Sequence, residues 1–195
     1  MPDPNHFEIL KNGCEAWNAW RKAHPNTVPQ LRSARLDGYD LSGFDLHDAY
    51  LRKAYLTGAR LDGCQLREAN LSAARLEGAS LVRAEMAGVN LRAARMRGAD
   101  LRHANLKSAI LVNTDLRQAR LNHAQVYGIS AWEVLLDGAE QQDLVVTRPG
   151  QPLITTDDLE VAQFIYVLLN HQKLRQVFNT TTQRGVLILG RFGGG

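Results

Sequence analysis

An apolar side chain recurs at every fifth residue from Leu31 to Val126, and this period limits what the chain can fold into. The twenty periodic positions hold seventeen leucines, and the exceptions are Met86, Met96 and Val126. Two residues before each of them, from Ala34 to Ala124, nineteen positions hold fourteen alanines. The other five hold Tyr39, Phe44, Cys64, Val89 and Thr114.

Neither a helix nor a plain strand can use a period of five. Five residues advance roughly 140° around a helix, so the leucines would be scattered over every face. In a strand, an odd period places successive leucines on opposite sides of the sheet. The chain must therefore turn a corner once in each five-residue repeat.

The repeat itself predicts which side chains point inward. The alanine-type residue and the leucine are two apart, so both point to the inside of a short extended piece, and the residue between them points outward. The two residues after the leucine make the bend. Glycine is frequent at the second of these, as expected where φ is positive. These glycines are Gly38, Gly43, Gly58, Gly63, Gly78, Gly88, Gly98 and Gly128.

Four such repeats close one coil of twenty residues if each turns about a right angle. Successive coils then stack at the spacing of β-strands, about 4.8 Å. The repeats over 31–128 predict about 4.75 coils and a body on the order of 23 Å long. Residues twenty apart should form ladders, such as the one from Leu36 to Leu136. The two ends of such a stack need covering.

The flanking segments predict a cap at one end and a helical region at the other. Residues 1–30 read as one amphipathic helix over 4–23, with Asn5 as N-cap and Gly13 tolerated inside it, followed by a linker. Residues 129–152 read as a distorted final coil over 127–146 and a loop. In 153–195 we expect a helix over about 157–170 capped by Thr155 or Thr156, a second helix over about 171–179, and an apolar strand over 185–190. That strand is typical of the start of a further domain.

Composition gives no strong indication of a partner. The net charge is +3, with fifteen basic against ten acidic residues over 31–128 and five against seven over 129–195. The two cysteines, Cys14 and Cys64, do not suggest a disulfide framework. We recognise no signal peptide and no apolar run long enough to span a membrane, so we expect a cytoplasmic protein.

Two short motifs suggest ligand sites only weakly. His103 and His123 are twenty apart at the second bend position, and we expect their rings to stack about 5 Å apart, within reach of a shared transition metal. Arg83 occupies the preceding rung and disfavours a cation, so a solvated corner ladder is the preferred interpretation. Residues 190–195 form a glycine-rich turn after a strand, but no helix follows to complete a phosphate loop.

Two surface ladders carry polar side chains. Arg75, Arg95, Arg97 and Arg117 lie on one predicted face, with Arg92 and Arg102 around the adjacent corners. Because Glu77 and Asp115 share these ladders and no aromatic residues interleave for base stacking, a solvated charge ladder is favoured over a nucleic-acid surface. A second ladder is rich in hydrogen-bond acceptors, and amide groups bonded from coil to coil are the preferred interpretation. Its members are Asp45, Gln65, Glu85, Asn105 and Gln125.

The alanine–x–leucine repeat, in segments such as 69–71 and 99–101, resembles that of the pentapeptide-repeat proteins. The resemblance implies an all-β solenoid, a right-handed quadrilateral β-helix. The N-terminal helix containing residues 17–21 is similar to the leader of bacterial members. Residues 126–192 resemble the region that joins such repeats to a C-terminal domain related to Toll/interleukin-1 receptor domains, which implies an arm of a larger bacterial protein.

These features together predict a scaffold and not an enzyme. We identify no catalytic, cofactor-binding or metal-binding residues and expect no cofactor. The expected partner is a protein or a second copy of the chain, with a possible homodimer through the C-terminal helices, and neither nucleic acid nor a membrane. The alternative is a DNA mimic, since acidic faces let quinolone-resistance members of the family bind type II topoisomerases. The basic balance of the repeat body argues against it.

Overall fold

The structure is a computed structural model that describes residues 1–148 and 150–171. Within this range the chain forms two N-terminal helices, a long stack of coils, a short β-hairpin-like pairing and a C-terminal helix. The strand predicted over 185–190 lies outside the described residues, as does all but the first residue of the helix predicted over 171–179.

The coils have the twenty-residue length that the five-residue period predicts. Twenty parallel bridges join outward residues twenty apart, from Gln30 with Tyr50 to Gln125 with Val145. The Leu36 amide donates to the carbonyl of Tyr55 at 2.8 Å, and neighbouring rungs repeat this bond around each coil. The chain therefore folds into a β-helix whose coils each contain four five-residue sides.

The interior of the stack is filled by the two periodic apolar positions. All twenty leucine-type side chains are at most 1% exposed. Thr114, at an alanine-type position, is also buried and donates its hydroxyl to the carbonyl of Leu91 at 2.9 Å. Tyr39 departs from the predicted inward placement, since it is 38% exposed while Phe44 is 4% exposed. A phenol ring exceeds the space that alanine fills elsewhere, and its hydroxyl favours contact with water.

The corners require a left-handed backbone at the second bend residue. Gly38 has φ of 69°, as predicted for the glycines of this position. Fourteen residues other than glycine also adopt positive φ at this position, among them Ala93 at 56°. Outward Asp and Asn side chains support the corner by accepting the amide two residues later, as in Asn70 with Ser72 at 3.0 Å. The corner geometry is thus imposed by the stack even where glycine is absent.

The N-terminal cap consists of two helices, so the prediction of one helix over 4–23 is wrong. Helix α1 spans Pro4–Lys11 and helix α2 spans Cys14–Ala23. Gly13 breaks them apart, with φ of 95°, because two short helices can fold over the end of the first coil where one long helix cannot. Asp3, and not Asn5, caps α1 by accepting the amides of residues 5 and 6.

The last coil ends in a strand pairing that leads into helix α3. Strand β1, Leu144–Val145, pairs antiparallel with strand β2, Thr155–Thr156. Helix α3 spans Leu159–Asn170 and is capped by Asp158, whose carboxylate accepts the amide of Val161 at 2.9 Å. The predicted helix over about 157–170 is present and ends at 170 as predicted, although it begins two residues later. The predicted threonine cap is wrong, because both threonines are held in the strand pairing.

Candidate interaction surfaces

The two histidines singled out from the sequence do stack. The ring centroids of His103 and His123 are 5.0 Å apart and their planes differ by 11°, which confirms the predicted ladder. Asp143 continues it, with its carboxylate 3.7 Å from Nδ1 of His123. Within the described ranges, no group of three or more His, Cys, Asp or Glu side chains is placed to hold a metal ion. His103, His123 and Asp143 are all exposed, so the ladder lies at a solvated corner.

Half of the predicted arginine stripe is neutralised by neighbouring carboxylates. Arg117 contacts Asp115 at 2.7 Å, and Arg102 contacts Asp100 at the same distance. The hydrogen bond from Arg117 holds the pKa of Asp115 below its ordinary value, against the opposing effect of burial. Burial acts against ionisation of Asp100, but the hydrogen bonds and charge of its arginine partner still lower its pKa. These arginines are engaged with the molecule's own carboxylates.

The N-terminal coils extend the stripe with cations that the sequence analysis did not include. Four ladders, which start at residues 30, 32, 33 and 35 and each run for four rungs, contain sixteen residues. Seven of the sixteen are cations and none is a carboxylate. We call these seven the basic face: Arg32, Arg35, Arg52, Lys53, Arg75, Arg92 and Arg95. Applying the twenty-residue register to the first coils would have found them.

Two aromatic rings, Tyr50 and Tyr55, interleave with the basic face, contrary to the sequence analysis. Tyr55 lies between the guanidinium groups of Arg35 and Arg75, whose Cζ atoms are 5.8 and 5.7 Å from the ring centroid. The three residues are successive rungs of one ladder, so the two cations lie on either side of the ring. The ring is therefore already stacked by the protein's own side chains.

A hollow of about 420 Å³ opens beside the C-terminal end of the basic face. The small side chains of Ala93 and Ala94 contribute to its lining, together with Arg95 and Arg97. Arg97 donates from Nε to the side-chain oxygen of Gln118 at 3.0 Å, and neither arginine is ion-paired within the part of the chain described here. Glu77 and Asp115 also line the hollow, paired with arginines of their own.

The acceptor ladder is satisfied largely from within. Asn105 donates from its amide to Glu85 at 2.9 Å, one coil away, and Arg67 lies 3.5 Å from the same carboxylate. Asp45, at the N-terminal end, accepts from the ring of His47. The coil-to-coil bond that the sequence analysis preferred is therefore formed at one step of the ladder, between Asn105 and Glu85.

The sequence profile described as "Pentapeptide repeats (8 copies)" matches residues 30–67, 64–102 and 99–129, about half of the chain. The chain belongs to the pentapeptide-repeat family. The match reflects features that the structure shows, namely regular corners, inward leucines and alanines, and coils of twenty residues. No curated protein sequence matches the chain.

Solved pentapeptide-repeat structures are similar to parts of this protein. Rfr23 from the cyanobacterium Cyanothece 51142 is 28% identical over 55% of this chain and 83% of its own, with a TM-score of 0.44. A trypsin-treated variant of QnrB1, a plasmid-mediated fluoroquinolone resistance protein, is 22% identical over 54% and 69%, with a TM-score of 0.35. A protein of the Arabidopsis thaliana thylakoid lumen is 20% identical over 69% and 90%, with a TM-score of 0.34.

The N-terminal cap of this pentapeptide-repeat protein is fixed by a buried arginine and a buried tryptophan. Trp17 is fully buried and donates from its indole nitrogen to the carbonyl of Asp45 at 2.8 Å. Arg21, 2% exposed, donates to the carbonyl of Thr27 and contacts Nε2 of His47 at 2.7 Å. These contacts join helix α2 to the first coil. The cap therefore covers the apolar interior at the N-terminal end of the stack.

Exposed apolar side chains collect at the opposite end of the pentapeptide-repeat body. Trp132 and Leu135, on the last coil, are 61% and 47% exposed. Helix α3 buries Leu159 and Ala162 against the body but leaves other apolar residues of the helix open to solvent. No helix within the described ranges is long and apolar enough to cross a membrane. Large apolar residues exposed together are a feature of protein interaction surfaces.

Proposed function

We propose that this chain is a non-enzymatic protein-interaction scaffold, the sensor arm of a larger bacterial signalling or effector protein. The observation that carries the proposal is the exposed apolar surface on the last coil and on helix α3. The link to a signalling domain is supported by the resemblance of residues 126–192 to the region that precedes Toll/interleukin-1 receptor-like domains. The right-handed sense of the coil and a cytoplasmic location are further parts of this proposal.

Helix α3 supplies the surface for a homodimer. Val161 and Val167 are 40% and 36% exposed and lie on the outer side of the helix, away from the buried Leu159 and Ala162. A helix that is apolar on both sides gains free energy by burying its outer side against a second copy. Asp158 holds the start of the helix in place, so the apolar residues are presented by a fixed element.

Light scattering after size-exclusion chromatography tests the homodimer. We expect the wild type to dimerise over a concentration series that reaches the high micromolar range. The double variant Val161→Lys with Val167→Lys should remain monomeric, because it places cations in the contact. The control Glu160→Lys with His171→Lys adds cations to exposed polar positions of the same segment and should dimerise. A wild type that stays monomeric throughout contradicts the proposal.

The DNA-mimic alternative has less support. Glu85 of the acceptor ladder is engaged by Asn105 and Arg67, and Asp45 is engaged by His47. A DNA mimic needs carboxylates that are free to imitate a row of phosphates. Supercoiling by a type II topoisomerase with added protein tests this alternative, and protection of the enzyme at micromolar protein concentration would favour it over the scaffold.

A further inference from the structure

We propose that the basic face binds an acidic, extended segment of a partner protein whose last residues are apolar. This inference rests on the proposed scaffold function and names the chemical class of its partner. Six of the seven cations of the basic face make no ion pair with any residue that the structure describes; the seventh, Arg75, lies 3.7 Å from Glu77. The face is therefore an uncompensated cluster of positive charge.

Most arginines on the other sides of the body are ion-paired, whereas Arg83 and Arg97 make no ion pair with a described residue. Arg60, Arg67 and Arg120 each lie within 4 Å of a carboxylate, and Arg60 and Arg120 each lie near two. The rungs of the basic face are about 4.8 Å apart, less than the Debye length of about 8 Å at physiological salt, so its cations repel one another. A negatively charged partner relieves this repulsion, and charge complementarity of this kind directs specific association.

The geometry of the face fits a short extended segment. The rungs from Arg35 to Arg95 span about 14 Å, and Leu135 lies two rungs further, about 24 Å from Arg35. About seven or eight extended residues cover that length at 3.3 Å per residue. Their acidic side chains would lie over the cations from Arg35 to Arg95. Their apolar end would contact Trp132 and Leu135.

A protein segment fits this face better than a nucleic acid does. Single-stranded nucleic acids bind by stacking bases on aromatic rings. Of the two rings on the four ladders, Tyr55 is already stacked by Arg35 and Arg75, and Tyr50 is half-buried. The exposed Trp132 is followed directly by the carboxylate of Glu133, and Asp115 occupies the rung before Leu135. A phosphate chain that continued to Trp132 would meet these negative charges, whereas an acidic peptide with an uncharged apolar end would not.

A labelled peptide tests the proposal by fluorescence anisotropy with the whole chain. The probe has about six glutamates followed by leucine and tryptophan, which matches the length of the face. We expect saturable binding that weakens with added salt. The variant Arg92→Glu with Arg95→Glu should bind about tenfold more weakly or worse, since it reverses two cations at the centre of the contact.

A matched variant separates the face from the net charge. Arg83→Glu with Lys107→Glu makes the same change in charge at two positions on other sides of the body, both outside any ion pair within the described part of the chain. This control should retain affinity within about threefold, because distant surface charges are screened. Circular dichroism and urea melts of both variants verify that the fold is kept.

Several outcomes would overturn the inference. Equal loss in both variants would show an effect of net charge alone. Equal binding of a peptide with glutamine in place of glutamate would remove the acidic requirement, and equal binding of a peptide without its apolar end would remove the role of Trp132. Displacement of the peptide by an oligothymidine of equal charge at a lower concentration would make the face a nucleic-acid surface. If peptide binding fails while the α3 dimer persists, the inference is wrong and the scaffold function stands.

Discussion

Overpacking the interior of the stack is the sharpest test of which side chains point inward. The substitution Ala74→Phe places a phenyl ring at an alanine-type position of a central coil. Ala74 is fully buried, with Ala54 and Ala94 one coil away on either side. Because the coils stack about 4.8 Å apart, a phenyl ring at position 74 could only occupy space that these two neighbours already fill. Phe44 is accommodated only because it lies in the first coil, where the cap closes the end.

Ala74→Phe should lower the free energy of unfolding by about 3 kcal/mol, the upper end of the range for an overpacked core. With a urea dependence of about 2 kcal/mol per molar, the unfolding midpoint should fall by about 1.5 M. The control is Arg95→Phe, at an outward and exposed position one coil away, which should change stability by no more than about 0.5 kcal/mol. Urea melts followed by circular dichroism measure both. If the two variants melt together, the inward assignment of the alanine ladder is wrong.

Three further predictions concern the cap, the corners and acid stability. Trp17→Ala should lower the free energy of unfolding by about 3–5 kcal/mol, because it leaves a cavity between the cap and the first coil. Trp132→Ala, at an exposed position, should be nearly neutral in the same thermal melts. Ala93→Gly should raise the free energy of unfolding by about 0.5 kcal/mol, since relief of the left-handed strain outweighs the entropy of glycine; a loss of stability in urea would contradict this. Asp100 and Asp115 have lowered pKa values, so their stabilisation is complete above the ordinary aspartate pKa near 4 and is lost as pH falls through the lower folded values. Replacing both with asparagine should flatten the pH dependence of the melting temperature in that acid range.

The periodic part of the fold could be predicted because one local rule repeats throughout it. The spacing of five determines the corner, and the corner determines the register of twenty, so the placement of His103 and His123 on successive rungs follows from sequence distance. The flanks obey no such rule. The break at Gly13 depends on what the end of the first coil can accommodate. Whether Thr155 caps a helix or lies in a strand depends on its pairing with strand β1 in the last coil.

The surfaces could be predicted only in part. The register places every arginine on a side of the body, but it does not show which of them meets a carboxylate. Arg117 and Arg95 lie on neighbouring ladders, yet only Arg117 reaches Asp115. The position of Tyr55 between two cations likewise follows from the register, whereas the stacking itself depends on side-chain conformation.

Because all sides of the coil contain five residues, the length of the body and the direction of its C-terminal end can change only in fixed steps. Insertion or loss of a whole coil of twenty residues moves helix α3 along the axis by about 4.8 Å and leaves its direction unchanged. Insertion or loss of a single side of five residues keeps every leucine inside but turns everything that follows by a quarter of a revolution. Insertions or deletions of five residues can therefore change the direction of the C-terminal end relative to the cap without disturbing the interior.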